Sequence, residues 1–293
     1  MLHRKIGYIL MAGIASAFVS SVALASHIAA PNIPPTSFTV SPSAIPGVVG
    51  FSDFTATFKE FGYSAVVNQD ATGAFTEAGV LNIATFAHPD TLTLIPGATS
   101  GLGAVGGYSL YESFTGSGFA TNALGGGVNV TFTSFTMTLF GHLGPGVNAS
   151  LNPVTGAVVI PAGSIVLGSS TSFVAGGAHV FGGLVNGDFD ILGTFKPTTG
   201  FLSGSVFTGN PTLGALYDLA GNTSLICPGV TIPCTAGVSG LLPPVGTPFT
   251  ATLIGSGNQT FAPVPEPASV LLLGSGLAGL GLYSFRRRKL NQI

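Results

Sequence analysis

The chain is poor in charge. Of 293 residues, 8 are Lys or Arg and 10 are Asp or Glu, together 6%, where an ordinary globular protein carries roughly 25%. A nucleic-acid binder neutralises phosphates with Lys and Arg, so that class is excluded. Trp is absent and Cys occurs twice, which excludes a disulfide-dense scaffold. The Glu, Lys and Leu periodicity of a coiled coil or helical bundle is missing too. Histidine is sparse: His3, His27, His88, His142 and His179 stand alone, with no H-x-x-x-H or H-E-x-x-H spacing, so nothing points to zinc. There is no G-x-S-x-G elbow either. What is present is 44 Gly, 20 Pro, 22 Phe and a 46% hydrophobic content, which also excludes a charge-rich disordered chain.

The few charges are sorted along the chain. Arg4 and Lys5 lie at one end, and Arg286, Arg287, Arg288 and Lys289 at the other. All ten acids lie between, from Asp53 to Glu266, accompanied only by Lys59 and Lys196. Basic ends around an acidic middle follow the positive-inside rule for a chain threaded out through a membrane. At the start, a charged n-region precedes an apolar stretch, Ile6 to Val22. The small-x-small triplet Ala23-Leu24-Ala25 then places a cleavage site before Ser26. Residues 1–25 therefore read as a signal-peptide helix handled by the Sec translocon and signal peptidase.

At the other end, Val264-Pro265-Glu266-Pro267 precedes 18 uncharged residues, Ala268 to Phe285, and then the basic cluster. As a helix at about 1.5 Å per residue, that run spans about 27 Å, enough for a thin bilayer. The prolines keep the approach extended, and Pro267 suits the first helical turn. The expectation is one transmembrane helix with Arg286, Arg287, Arg288 and Lys289 as a stop-transfer signal.

A Pro-Glu-Pro tripeptide, a short Gly-rich apolar helix and a terminal Arg cluster resemble the PEP-CTERM sorting signal, over about residues 264–289. The resemblance implies a bacterial envelope protein that is the substrate of an exosortase, a membrane cysteine transpeptidase-like enzyme. It implies cleavage near Pro265, Glu266 and Pro267 and passage from the inner membrane to the cell surface and extracellular matrix, in species that make exopolysaccharide. A second layout is similar to flocculation-associated PEP-CTERM proteins. It comprises Phe38 to Gly47, Phe51, Phe61-Gly62-Tyr63, Gly73-Ala74-Phe75, Tyr108 to Phe119 and a Cys227–Cys234 loop. That likeness implies a role in aggregation, flocculation or biofilm structure.

Residues 26–263 form the remaining domain. Short runs rich in Val, Ile, Thr, Phe and Tyr are punctuated by Gly, Asn and Pro, which predicts strands. They fall at 51–58, 63–68, 80–87, 91–95, 108–115, 128–140, 158–167, 179–185, 189–195, 202–207 and 249–254. The expected fold is all-β, an antiparallel β-sandwich or jelly roll. Within Val128–Phe140, Val128, Val130 and Phe132 hold one phase, and Phe135, Met137 and Leu139 hold the other. An extra residue in the ladder does this, so a bulge or bend is expected near Ser134, of the kind that lets a strand switch sheets. The tracts 101–107, 125–127 and 176–183 read as Gly-rich loops or turns.

Candidate chemistry is thin. Gly101 to Gly106 matches G-x-G-x-x-G, but a strand-like segment follows where dinucleotide binding needs a helix. No cofactor is expected. Asp188 and Asp190, two residues apart on an extended segment after Asn186-Gly187, are the one candidate Ca²⁺ pair; a solvated strand start is the plainer reading. Cys227 and Cys234 bracket a short loop that suits a local disulfide in an exported protein, worth about 2.5 kcal/mol on chain-entropy grounds. Thr, Ser and Asn at outward positions could hydrogen-bond a hydrated polysaccharide, although Thr is also simply a good strand former. The reading is a non-enzymatic matrix protein, with a lectin-like glycan-binding module as the alternative and a polysaccharide-acting enzyme behind it.

Overall fold

The computed structural model describes residues 36–89, 91–122, 127–180, 186–226 and 248–264. The expected signal peptide, the expected Cys227–Cys234 disulfide and the expected transmembrane helix with its basic cluster lie outside the described residues. Among the described residues, no helix is long and apolar enough to cross a membrane.

Eight long antiparallel strands carry the fold: β3 (Phe58–Gln69), β4 (Ala74–Ala87), β6 (Tyr108–Asn122), β7 (Val128–Leu143), β10 (Ile165–Val180), β11 (Asn186–Pro197), β13 (Ala215–Ile226) and β14 (Phe249–Pro263). Each pairs with the next in chain order, and β14 pairs back with β3 from Phe249↔Gln69 to Thr260↔Phe58. The result is a closed up-and-down barrel, not the expected sandwich or jelly roll. The physical reason is length. Strands of 12 to 16 residues can coil around a common axis, and closure leaves no hydrogen-bonding edge among them. A sandwich would need the chain to cross between two sheets, and no long strand does.

The bulge foreseen near Ser134 is present. Ser117 pairs with Ser134 and Gly118 with Phe132, which leaves Thr133 as the extra residue. Thr133 and Ser134 are both exposed, while Phe132 and Phe135 on either side are buried. The bulge keeps both apolar phases on the inside of one barrel instead of passing β7 to another sheet. The tract 176–183 departs from expectation, because Gly176 and Gly177 lie within β10. Gly176 suits the strand: a Cβ there would meet Phe173 and Ile191 at 3.2 and 3.3 Å. The β7–β10 ladder is interrupted between Ser169↔Thr138 and Gly177↔Thr131. Within that stretch the Ser170 hydroxyl accepts the Met137 N–H at 2.8 Å.

Inward positions are strongly aromatic. Phe61, Phe75, Phe86, Phe114, Phe132, Phe135, Phe195 and Phe261 are all buried; each such side chain contributes on the order of 1.5–3 kcal/mol. Short elements cover the end where Tyr108 and Phe261 lie. These are β1 (Phe38–Val40), β2 (Phe54–Ala56) and β12 (Leu202–Ser203), a 3-10 turn at Pro42–Ala44, and the helices α1 (Gly97–Ser100) and α2 (Ser205–Thr208). Phe38 meets Phe261 edge-on at 5.3 Å, and Phe201 meets Tyr108 at 5.6 Å. Outside the wall, the hairpin of β8 (Ser150–Leu151) and β9 (Val158–Val159) covers an apolar patch made by Val80, Tyr111 and Phe140. Strand β5 (Leu94–Ile95) pairs antiparallel with the last residues of β4.

Elsewhere the outward face mixes hydroxyl pairs with scattered exposed apolar residues such as Phe119 and Ile254. Thr115 meets Thr136 at 2.8 Å and Ser117 meets Ser134 at 2.7 Å across β6 and β7. A transmembrane barrel reverses this pattern, with an apolar outer band and a polar lumen.

Candidate functional site

The barrel interior holds charge where only apolar groups are expected. Lys59 on β3 is in phase with Phe61, Tyr63 and Ala65, so strand alternation turns it inward. Glu112 on β6 is likewise in phase with Tyr108, Leu110 and Phe114. The two meet at 2.6 Å, Nζ to Oε1, with neither side chain exposed. Lys59 Nζ also lies 5.3 Å from the Phe261 ring centroid and 6.0 Å from that of Phe195, within cation–π range.

Two neutral groups complete the centre. Gln259 on β14 is the direct register partner of Lys59, and its Nε2 donates to Met137 Sδ at 3.4 Å. Tyr217 on β13 rests over Gly193, where a Cβ would come within 2.5 Å of its hydroxyl. Glu112 Oε2, Gln259 Oε1 and the Tyr217 hydroxyl are buried and have no hydrogen-bond partner among the described residues. Burial pushes the Lys59 amine below its ordinary range, against the opposing pull of Glu112. Burial also raises the Tyr217 phenol, helped by the nearby Glu112 charge. The centre is sealed: Lys59, Glu112 and Gln259 are fully buried, so its chemistry is confined to the groups that form it.

A second buried carboxyl lies further along the barrel. Tyr63 donates to Glu77, and burial raises the Glu77 carboxyl to about 7 despite that hydrogen bond. Tyr63 itself stacks on Phe114 at 5.6 Å.

The acids singled out from sequence lie elsewhere. Asp188 and Asp190 sit on the outward face of β11 and are half-buried. Asp188 is in register with His179 on β10 and Asn222 on β13. Asp190 faces Asp218 instead, and burial, the Asp190 charge and their hydrogen bond raise Asp218 to about 7. Among the described residues, no group of three or more His, Cys, Asp or Glu side chains is arranged to hold a metal ion. A cavity of about 1570 Å³ takes its lining from this row, including His179, Asp188 and Asn222, and from Phe132, Phe173 and Phe189.

Sequence reading passed over Lys59 and Glu112. The signal was there: each is a charge placed in phase with buried aromatics. The predicted strands broke off at residue 58 and resumed at 63, which hid the phase of Lys59.

No curated protein and no solved structure matches the chain. Residues 263–289 match the PEP-CTERM protein-sorting motif, and the chain is thereby an exosortase-targeted extracellular protein, exported and sorted to the cell surface.

Proposed function

We propose that the barrel is a non-enzymatic component of the extracellular matrix that associates with exopolysaccharide and promotes aggregation or flocculation. The observation that carries this reading is the outer wall. Exposed hydroxyl pairs such as Thr115–Thr136 at 2.8 Å and Ser117–Ser134 at 2.7 Å present donors and acceptors with little charge. Such a surface exchanges hydrogen bonds with a neutral or acidic polysaccharide without displacing counterions. The sorting motif supports it by bringing the domain to the surface where such a polymer is laid down. Pro265, Glu266 and Pro267 form the processing site, and the basic cluster holds the helix in the inner membrane until an exosortase cuts.

Cells lacking the gene test the reading. Loss of aggregation, restored by the intact gene, supports it; unchanged aggregates overturn it. Replacing Glu266 by Ala should leave uncut protein in the membrane, and normal maturation of that variant overturns the processing site.

The lectin-like alternative draws on the His179, Asp188 and Asn222 row beside an aromatic-lined cavity. Discrete binding to one defined glycan on an array, lost in Asp188→Ala, would favour it over bulk matrix association.

A further inference from the structure

The sealed centre pairs an amine with a carboxyl group where an ion pair is at its most expensive. Two opposite charges stripped of water recover their desolvation only when every remaining donor and acceptor is served. Here Glu112 Oε2, Gln259 Oε1 and the Tyr217 hydroxyl are not served among the described residues. Condensation removes both charges and one of the carboxyl oxygens at once. We propose that Lys59 and Glu112 join in an intramolecular amide that staples β3 to β6 through the barrel interior.

The chemistry needs nothing from outside. A proton passes along the 2.6 Å hydrogen bond from the ammonium to the carboxylate, giving an amine and a carboxylic acid. The Nζ lone pair attacks the Glu112 carboxyl carbon, a C–N bond forms, and the C=O π electrons move onto oxygen. When the tetrahedral intermediate collapses, the C–O bond to the hydroxyl breaks. The hydroxyl leaves with a proton from nitrogen, as water. Lys–NH3⁺ and Glu–COO⁻ become Lys–NH–CO–Glu and H2O, so charge and atoms balance and no oxidant or cofactor takes part.

The surroundings favour each stage. Burial against Phe195 and Phe261 disfavours the charged form of the amine and keeps out the water that would reverse the reaction. A fixed contact between nucleophile and carboxyl group is the condition under which effective molarities reach about 10⁵–10⁸ M. Gln259, opposite Lys59 in register, supplies an unused carbonyl for the new amide N–H. The product is neutral throughout.

The test is a chymotryptic digest of the exported full chain, read by mass spectrometry. The expected result is a branched peptide holding Lys59 and Glu112, lighter by one water than its two linear parts. After denaturation, Lys59 should also resist amine-reactive labelling. Recovery of Lys59 and Glu112 only in separate linear peptides, with Lys59 fully labelled, overturns the proposal. Glu112→Gln gives a second line: it should reach the same branched product with loss of ammonia in place of water. Linear peptides alone from folded Glu112→Gln count against the mechanism.

Discussion

The Tyr63 hydroxyl donates to the Glu77 carboxyl inside the barrel, and both side chains are buried. That single hydrogen bond does not offset the loss of water around Glu77, whose carboxyl rises from 4.5 to about 7. The folded state therefore keeps its proton between pH 4.5 and 7, where the unfolded chain has already given it up. Stability from this group is fully present below pH 4.5, declines as pH rises towards 7, and levels off above. A shift of this size amounts to roughly 3 kcal/mol. Chemical denaturation at pH 4.5 and pH 8 should show the wild type weaker at pH 8 by that order, and Glu77→Gln should remove most of the difference. Asp218 acts in the same direction but is partly solvated, so its share is smaller. Equal stability of the wild type at both pH values would contradict the assignment.

Tyr108 tests how the interior treats an unserved polar atom. Its ring is fully buried against Phe201, and its hydroxyl has no hydrogen-bond partner among the described residues. Burial alone lifts its phenol well above the ordinary value. Leaving a donor unsatisfied costs about 1–3 kcal/mol, and phenylalanine has the same ring without it. Tyr108→Phe should raise the denaturation midpoint, by about 1 kcal/mol in stability. A destabilised variant would mean that the hydroxyl is served after all.

Much of this fold was legible in the sequence, and the failures have physical causes. Strand identity followed from Val, Ile, Phe and Thr runs, and the bulge in β7 followed from the phase change between Phe132 and Phe135. Closure was not legible, because the pairing of β14 with β3 joins residues nearly two hundred positions apart, such as Thr250 and Asn68 at 2.6 Å. No local pattern encodes such a contact. Strand β13 was missed because Asp218, Gly221 and Asn222 interrupt its apolar run, although Tyr217 and Leu219 keep the inward phase. In β10, Gly176 and Gly177 read as a loop, since glycine is depleted in strands; there they make room for Phe173, Ile191 and the neighbouring backbone. The same bias concealed Lys59, a charge that strand logic assigns to the surface.

Glycines on the inner wall should be intolerant of any side chain. At Gly79 an added Cβ would stand 2.4 Å from the Ser64 carbonyl oxygen, 2.5 Å from Phe114 Cζ and 2.7 Å from Ala65 Cβ. Backbone, ring and neighbouring strand all block it, so no single rotamer change relieves the clash. Gly79→Ala should cost about 1–3 kcal/mol through overpacking. Gly62, with nothing near its missing Cβ, should accept alanine with little change. Comparing the two denaturation midpoints checks this, and an equal response would deny the close packing at Gly79.

The bulge in β7 predicts that two single-residue deletions, three positions apart, will cost unequally. Removing Thr133 takes out the extra residue alone. Phe132, Ser134 and Phe135 would then alternate in, out, in, and the pairing of Ser117 with Ser134 and Gly118 with Phe132 would survive. The variant should fold with a modest loss from the changed local twist. Removing Thr136 also straightens the ladder, because the extra residue is absorbed: Met137 keeps Phe114 and Phe132 keeps Gly118 as partner, but Ser134 turns inward opposite Gly116 and Phe135 turns outward. Exposing Phe135 costs about 1.5–3 kcal/mol, and burying the Ser134 hydroxyl adds to that loss. The Thr136 deletion should therefore be clearly less stable than the Thr133 deletion. Denaturation midpoints distinguish the two, and a Thr136 deletion at least as stable as the Thr133 deletion would mean that the extra residue in β7 lies elsewhere.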